Sequence, residues 1–322
     1  MPSKSVTERL LVIKLGALGD VVQALGALAA IRRRHAGAHI TILTTKPFEA
    51  LFAASPYADD VWTDVRPKFW HVGAWLALRR RLRAGKFDRV YDLQTSDRSA
   101  WYFRLFGAGH RPEWSGIAPG CSHPHANPRR DFMHTLDRLA EQLRIAGIAE
   151  MPPPDVAWLT ADLARYQLPP RFALLVPGGS AARPQKRWPA ERYGALAKEL
   201  GKQGITALVL GMPNERPLAA DIRSVCPDAR DLTGQTSFQE IAALARRAEL
   251  AVGNDTGPMH LIAAAGCRCL VLFSADSDPA LCSPRGNVAV LRQSDLSEVP
   301  VEDVVSTIQH NFRSPPVVGG RG

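Results

Sequence analysis

The chain has 322 residues, 46% of them hydrophobic and 7% aromatic, with a formal charge of +9 and a pI near 9.6. This composition excludes extensive disorder, suits two domains of roughly 150 residues each, and points to an anionic partner: nucleic acid, a phosphorylated small molecule or an acidic membrane surface. Five cysteines scattered from Cys121 to Cys282 argue against a disulfide framework, and the apolar run after MPSKSVTER is broken by Lys14 and Asp20, too short for a signal sequence or a membrane span. A cytoplasmic setting is the expectation, with at most peripheral contact with a membrane.

Strand-like apolar runs alternate with helix-like segments along the chain, which predicts parallel sheets covered by helices on both faces. The first series places strands at LLVIKL (10–15), HITILTT (39–45), DVWTD (60–64) and RVYDLQ (89–94), with helices over 21–34 and 74–83. Prolines in MPPPDVAWLT and YQLPPR mark 151–171 as a linker. The second series runs FALLVPGG (172–179), a helix from about Ala190, ITALVLG (205–211), a helix through Arg223, DLTG, a helix over 237–247, ELAVGND, a helix from Gly257, CLVLFS (269–274) and VAVLR. The expected organisation is α/β: one Rossmann-like domain over 1–150, a second over 172–300, a closing helix at 301–313 and a tail at 314–322. The two domains are expected to face each other across a cleft at the carboxyl ends of their strands.

The first strand leads into GALGD. This is G-x-x-G-D, not the three-glycine dinucleotide pattern, and HITILTT ends on Thr44 and Thr45 where a ribose-binding acid is needed, so a nicotinamide enzyme is disfavoured. Asp20 has two readings. It either caps the following helix by accepting the N–H of Val22 or Gln23, or it serves chemistry on a hydroxyl group, because a carboxylate there repels phosphate. In the second half, GNDTGPMHLIAAAG puts Asn254 and Asp255 at a strand end, while Thr256 and Gly257 open a helix. Free N–H groups at that helix start form an anion site; Thr256 adds a hydroxyl, and His260 lies one turn further on the same face. The competing reading is a capped helix with a satisfied histidine. Upstream, VPGGSAARPQKRWP brings Ser180 after two glycines, with Lys186 and Arg187 following, and LGMPNE ends a third loop on Glu215. Surface cations and a helix-start glutamate are the plain alternatives for these two.

The series IKLGALGD, PGGS with KRWP, GMPNE and DTGPMH, in this order over nearly the whole chain, resembles glycosyltransferase family nine, the bacterial ADP-heptose:lipopolysaccharide heptosyltransferases. The resemblance implies a GT-B fold, an N-terminal acceptor domain, a C-terminal nucleotide-sugar domain, and inverting transfer that needs no metal or cofactor. It further implies that Asp20 is the catalytic base, that Lys186 contacts the donor phosphates, that Glu215 contacts the ribose, and that Thr256, Gly257 and His260 hold the diphosphate. Ser180 and Asp255 fall beside these groups in the donor domain. Where family members often carry hydroxyl residues after the PGGS loop, this chain has Ala181 and Ala182. In an inverting transfer a base takes the proton of the attacking hydroxyl, so the carboxylate of GALGD has a purpose, and Gly16 and Gly19 leave room for the acceptor.

HPHANPRRDFMH (123–134) has the look of a metal site, but its prolines favour a loop; Arg129 and Arg130 are assigned to the anionic acceptor, with a solvated basic loop as the alternative. Asp276 and Asp278 in SADSDP are turn residues, and RRRLRAGK (79–86) is the polar end of a helix that is also suited to anionic lipid headgroups. The partners expected are a nucleotide sugar, ADP-heptose or a relative, and an anionic glycolipid. The basic runs lack the interleaved aromatics of a nucleic-acid binder. Two alternatives remain: a transferase using another nucleotide sugar, and a non-catalytic nucleotide-sugar-binding protein of the same fold.

Overall fold

A computed structural model describes residues 7–107, 109, 111–179 and 187–312; Ser180 and Lys186, with Ala181 and Ala182, lie outside the described residues. The chain divides into two compact units, Met1–Leu159 and Thr160–Gly322.

The first unit is built on six parallel strands, β1 (Arg9–Ile13), β2 (His39–Thr44), β3 (Asp60–Thr63), β4 (Arg89–Asp92), β5 (Glu113–Gly116) and β6 (His123–Pro124), in the order β3-β2-β1-β4-β5-β6. Its helices are α1 (Leu18–Arg34), α2 (Glu49–Ala53), α3 (Val72–Ala84), α4 (Asp97–Leu105) and α5 (Thr135–Ile145). The second unit repeats this order with β7 (Phe172–Val176), β8 (Thr206–Val209), β9 (Arg230–Asp231), β10 (Leu250–Asn254), β11 (Cys269–Phe273) and β12 (Val288–Arg292), arranged β12-β11-β10-β7-β8-β9. Its helices are α6 (Ala190–Gly201), α7 (Arg216–Val225), α8 (Phe238–Arg247), α9 (Gly257–Ala264), α10 (Pro279–Cys282) and α11 (Val301–Phe312). β7 and β11 are buried along their whole length, as a parallel strand with helices on both faces must be. In each sheet the first and fourth strands lie side by side while their connections run to opposite sides, which opens a crevice at their carboxyl ends. β1 and β4 meet there with Ile13 beside Asp92, and β7 and β10 with Val176 beside Gly253.

The proline-rich stretch expected as a linker is docked at both ends. Val156 and Leu159 are buried in the first unit, where Trp158 meets Tyr57 edge-on at 6.2 Å. Gly26 of α1 packs so closely on this segment that a Cβ there would stand 2.1 Å from the Pro152 carbonyl oxygen. Further on, Arg165 pairs with Glu240 at 2.6 Å within the second unit. Closing helix α11 lays Val301, Val305, Ile308 and Phe312 on the core of that unit, against α6 and β12.

Candidate active site

At the carboxyl end of β1 the chain turns into α1, which begins at Leu18 and not at Val21. Asp20 is therefore its third residue and does not occupy the cap position expected for it. Ala17 stands at the cap with no side-chain acceptor, and Asp20 reaches back so that its Oδ2 accepts the Ala17 N–H at 3.2 Å. Val22 and Gln23 are too far into the helix to donate to it; their N–H groups belong to the helical ladder. Gly19 is buried in the first turn, and Gly16, at φ +136°, leaves a space already filled by the Phe48 ring edge, 2.9 Å from where a Cβ would lie. The turn is held by β4 and β2: Leu15 donates its N–H to Gln94 Oε1 at 2.8 Å, and Thr45 donates to the Leu15 carbonyl at 2.8 Å.

Asp20 lines a cavity of about 210 Å³ together with Lys14, Gln94, Thr95, Arg130 and Arg138. Three cations thus share its wall with two carboxylates, the half-buried Asp20 and the exposed Asp131. Lys14 Nζ donates to the Leu93 carbonyl at 3.2 Å. Burial lowers the Lys14 pKa below the usual lysine range, while the Asp20 and Asp92 carboxylates pull it the other way. Burial likewise pushes the Asp92 carboxyl up to about 6, against the N–H groups of Thr95 and Gln94 that donate to its Oδ1 at 3.0 and 3.1 Å. Arg130 pairs through Nη1 with Asp131 at 3.0 Å, leaving Nε and Nη2 buried without a hydrogen-bond partner among the described residues. Its neighbour Arg129 is exposed and lines no part of this cavity, so the structure separates two arginines that the sequence offered as a pair. Arg138, from α5, is a cavity residue the sequence reading missed. The loop's histidines diverge: His123 faces Glu113 at 3.4 Å, His125 faces Glu141 at 3.5 Å, and His134 caps α5 by accepting the Leu136 N–H at 3.1 Å.

In the second unit the ends of β7, β8 and β10 bring Gly178, Gly179, Glu215 and Thr256 together. Asn254, fully buried at the end of β10, is saturated: its Nδ2 donates to the carbonyls of Pro177 at 2.8 Å and Gly178 at 3.1 Å, and its Oδ1 accepts from the Trp188 N–H at 3.0 Å and the Tyr193 hydroxyl at 3.1 Å. It fixes the glycine turn to the start of α9. Glu215 accepts the Gly179 N–H through Oε1 at 3.1 Å and the Met212 N–H through Oε2 at 2.8 Å, so its carboxylate ties two turns together. Arg187, a cation beside the expected Lys186, reaches over the turn and donates to the Gly179 carbonyl at 2.6 Å. Thr256 occupies the cap of α9 in an extended conformation, but its Oγ1 is buried with no hydrogen-bond partner among the described residues. A hydroxyl donor and the first N–H groups of a helix therefore stand together, the arrangement that receives a phosphate oxygen. Gly257 begins the helix, and His260 is buried one turn on. Asp255 accepts the Ser277 hydroxyl, a bond that positions the loop after β11. Asp278 caps α10 by accepting the Ala280 N–H at 3.1 Å, as a turn residue should.

Among known families, residues 75–309 match glycosyltransferase family 9 (heptosyltransferase). Lipopolysaccharide heptosyltransferase 1 of Pseudomonas aeruginosa is 27% identical over 321 residues, 94% of this chain and 88% of that one. Lipopolysaccharide heptosyltransferase 2 of Escherichia coli is 24% identical over 306 residues, 87% of this chain and 86% of that one. The solved structure of the E. coli ADP-heptose lipopolysaccharide heptosyltransferase II superposes with a TM-score of 0.78 at 19% identity, over 94% of this chain and 98% of that one. The two parallel-sheet units are those of the GT-B fold. No helix among the described residues is long and apolar enough to cross a membrane.

Proposed function

The chain belongs to glycosyltransferase family 9, and from that premise we propose that it transfers a heptose from ADP-heptose to an anionic lipopolysaccharide-core acceptor, by a single inverting displacement without a metal ion. The relatives above are lipopolysaccharide heptosyltransferases, and the name of the solved neighbour includes ADP-heptose. The observation that carries the reading is Asp20 in the wall of a cavity beside Lys14, Arg130 and Arg138. A carboxylate facing an open cavity can take the proton of a bound hydroxyl, while the Arg130 donors left unpaired among the described residues suit a carboxylate or phosphate on the acceptor.

In this reading the acceptor hydroxyl attacks the anomeric carbon as the bond to the diphosphate breaks, and its proton passes to Asp20 Oδ1 or Oδ2. The electron pair of the broken bond leaves on ADP. Thr256 Oγ1, the first N–H groups of α9 and the Arg187 guanidinium supply positive potential for that leaving group. Gly16, Gly19 and Arg129 line no part of the Asp20 cavity; the space at Gly16 is taken by Phe48, so the two glycines shape the turn that carries Asp20 and leave no room for the acceptor. Glu215 and Asp255 shape the donor site by holding its turns, and His260 backs the helix start. The reaction is expected in the cytoplasm, on a glycolipid acceptor.

The test is ADP release and product stereochemistry with ADP-heptose and a heptose-free core glycolipid, run with and without EDTA. Inverted product at an unchanged rate in EDTA supports the reading. Turnover with another nucleotide sugar alone, or loss of turnover in EDTA restored by magnesium, overturns the donor or the metal assignment respectively.

A further inference from the structure

Half of the large apolar side chains that the described residues expose lie between Val65 and Leu76. Val65 is 78% exposed, Phe69 81%, Trp70 57%, Val72 63% and Leu76 53%. Apolar residues scattered singly over a surface are ordinary, but a contiguous set is not. The loop that displays them is pinned from beneath. Arg98 donates to the Pro67 carbonyl at 3.2 Å, Trp75 Nε1 to the Lys68 carbonyl at 3.1 Å, and the Arg66 N–H to Asp64 Oδ1 at 2.8 Å. Phe69 and Trp70 stand edge to face at 4.6 Å on top of this base, with Lys68 Nζ 5.2 Å from the Trp70 ring centre. Their exposure is built into the fold.

The following helix continues the surface. α3 turns Trp75, Leu78 and Leu82 inward onto the core of the first unit. Its outward side carries Val72, Leu76, Arg80 and Arg83, spaced i, i+4, i+8 and i+11, so one exposed stripe runs from apolar to basic along the helix. From Val65 to Lys86 the sequence holds seven Lys and Arg residues and no Asp or Glu.

We propose that this surface docks the protein on an anionic lipid bilayer, with Phe69 and Trp70 entering the interfacial region and the arginines of α3 lying over the headgroups. Aromatic rings favour that depth, and a carboxylate-free basic stripe matches a negatively charged surface. A second copy of this chain bringing the same face would set like charges together, so the patch is not self-complementary. The docking is independent of which sugar is transferred, because it uses neither the Asp20 cavity nor the α9 helix start.

The experiment is co-sedimentation of the full chain with vesicles of phosphatidylcholine alone or mixed with phosphatidylglycerol, containing no sugar acceptor. Wild type is expected to sediment with the anionic vesicles, less with the neutral ones, and less in high salt. Phe69→Ser with Trp70→Ser should weaken anionic-vesicle binding by about tenfold or more, and Arg80→Glu with Arg83→Glu by about 100-fold or more, both at an unchanged melting temperature. If one pair melts early, the other decides. The proposal is overturned if wild type stays in the supernatant, if either well-folded pair binds vesicles as wild type does, or if the aromatic pair instead abolishes self-association in vesicle-free solution.

Discussion

Glu215 is tied to Gly179, whose N–H it accepts at 3.1 Å, while its other oxygen accepts the Met212 N–H at 2.8 Å. One carboxylate thus holds the turn after β7 against the turn after β8. Gly178 permits this approach, since a Cβ there would stand 2.2 Å from Glu215 Oε1.

The first prediction follows from that tie. Glu215→Ala leaves two N–H groups without their partner and should cost about 1 to 3 kcal/mol of stability, with weaker ADP binding as the glycine turn loosens. Glu215→Gln should fall between, because one amide oxygen serves a single N–H and the amide nitrogen confronts the other. Thermal melts and ADP titrations of the three proteins check this ordering, and an alanine variant indistinguishable from wild type in both would show the tie to be idle.

Thr256 supports a sharper contrast. Its buried Oγ1 has no partner within the described residues, so Thr256→Val, of equal shape, should leave the melting temperature unchanged or raise it. The same hydroxyl facing a diphosphate is worth about 1.5 to 3 kcal/mol, so the variant should bind ADP about 10- to 150-fold more weakly, with Thr256→Ser restoring affinity. Wild-type ADP affinity in the valine variant would remove Thr256 from the donor site.

How much of this was legible in the sequence depended on punctuation. The turn glycines of GALGD and the Thr-Gly-Pro start of α9 announced strand ends and helix starts, and with them Asp20 and Thr256. β5, reading EWSG, and β6, with two residues, carry no apolar run long enough to register as strands. The spacing of Leu136, Leu139 and Leu143 does encode α5, behind a proline-rich loop that hides where the helix begins. Neighbouring residues defeated the reading most often. Nothing in a linear string separates Arg129 from Arg130, because a single turn decides which side chain meets the cavity. Asn254 gave no signal beyond its place at a strand end, since its four partners come from distant segments. The start of α1 is hidden because Ala17 and Leu18 offer no polar cap, and the acceptor that takes its place, Asp20, is the third residue of the helix.

Asp92 gives a pH dependence. Burial raises its carboxyl from 3.8 to about 6, so the folded protein holds this proton to a higher pH than the unfolded chain does. Its contribution to stability is therefore full below about pH 4, falls as pH rises toward about 6, and is flat above that, a loss of at most about 3 kcal/mol. Asp92→Asn keeps an oxygen for the Gln94 and Thr95 N–H groups and should flatten this slope. Denaturant unfolding at several pH values between 4 and 8 reads it out, and a variant retaining the wild-type slope would assign the titration elsewhere.

The two readings of Asp20 diverge most on substitution. As a structural group it accepts one N–H, that of Ala17 at 3.2 Å, and adds a negative charge to the first turn of α1. Asparagine supplies the same oxygen at the same place, so on structural grounds Asp20→Asn costs only a few tenths of a kcal/mol, about the worth of the lost charge at the helix start. Folding and ADP affinity should both survive, because the donor groups sit in the other unit. As the base, the carboxylate receives the proton of the attacking hydroxyl, and an amide cannot; turnover should then drop by roughly 100- to 10,000-fold. The near-identical shape of the two side chains removes packing as an explanation. Turnover on the glycolipid acceptor, measured beside a melting curve and an ADP titration, separates the cases: an asparagine variant with wild-type turnover would reduce Asp20 to the partner of Ala17.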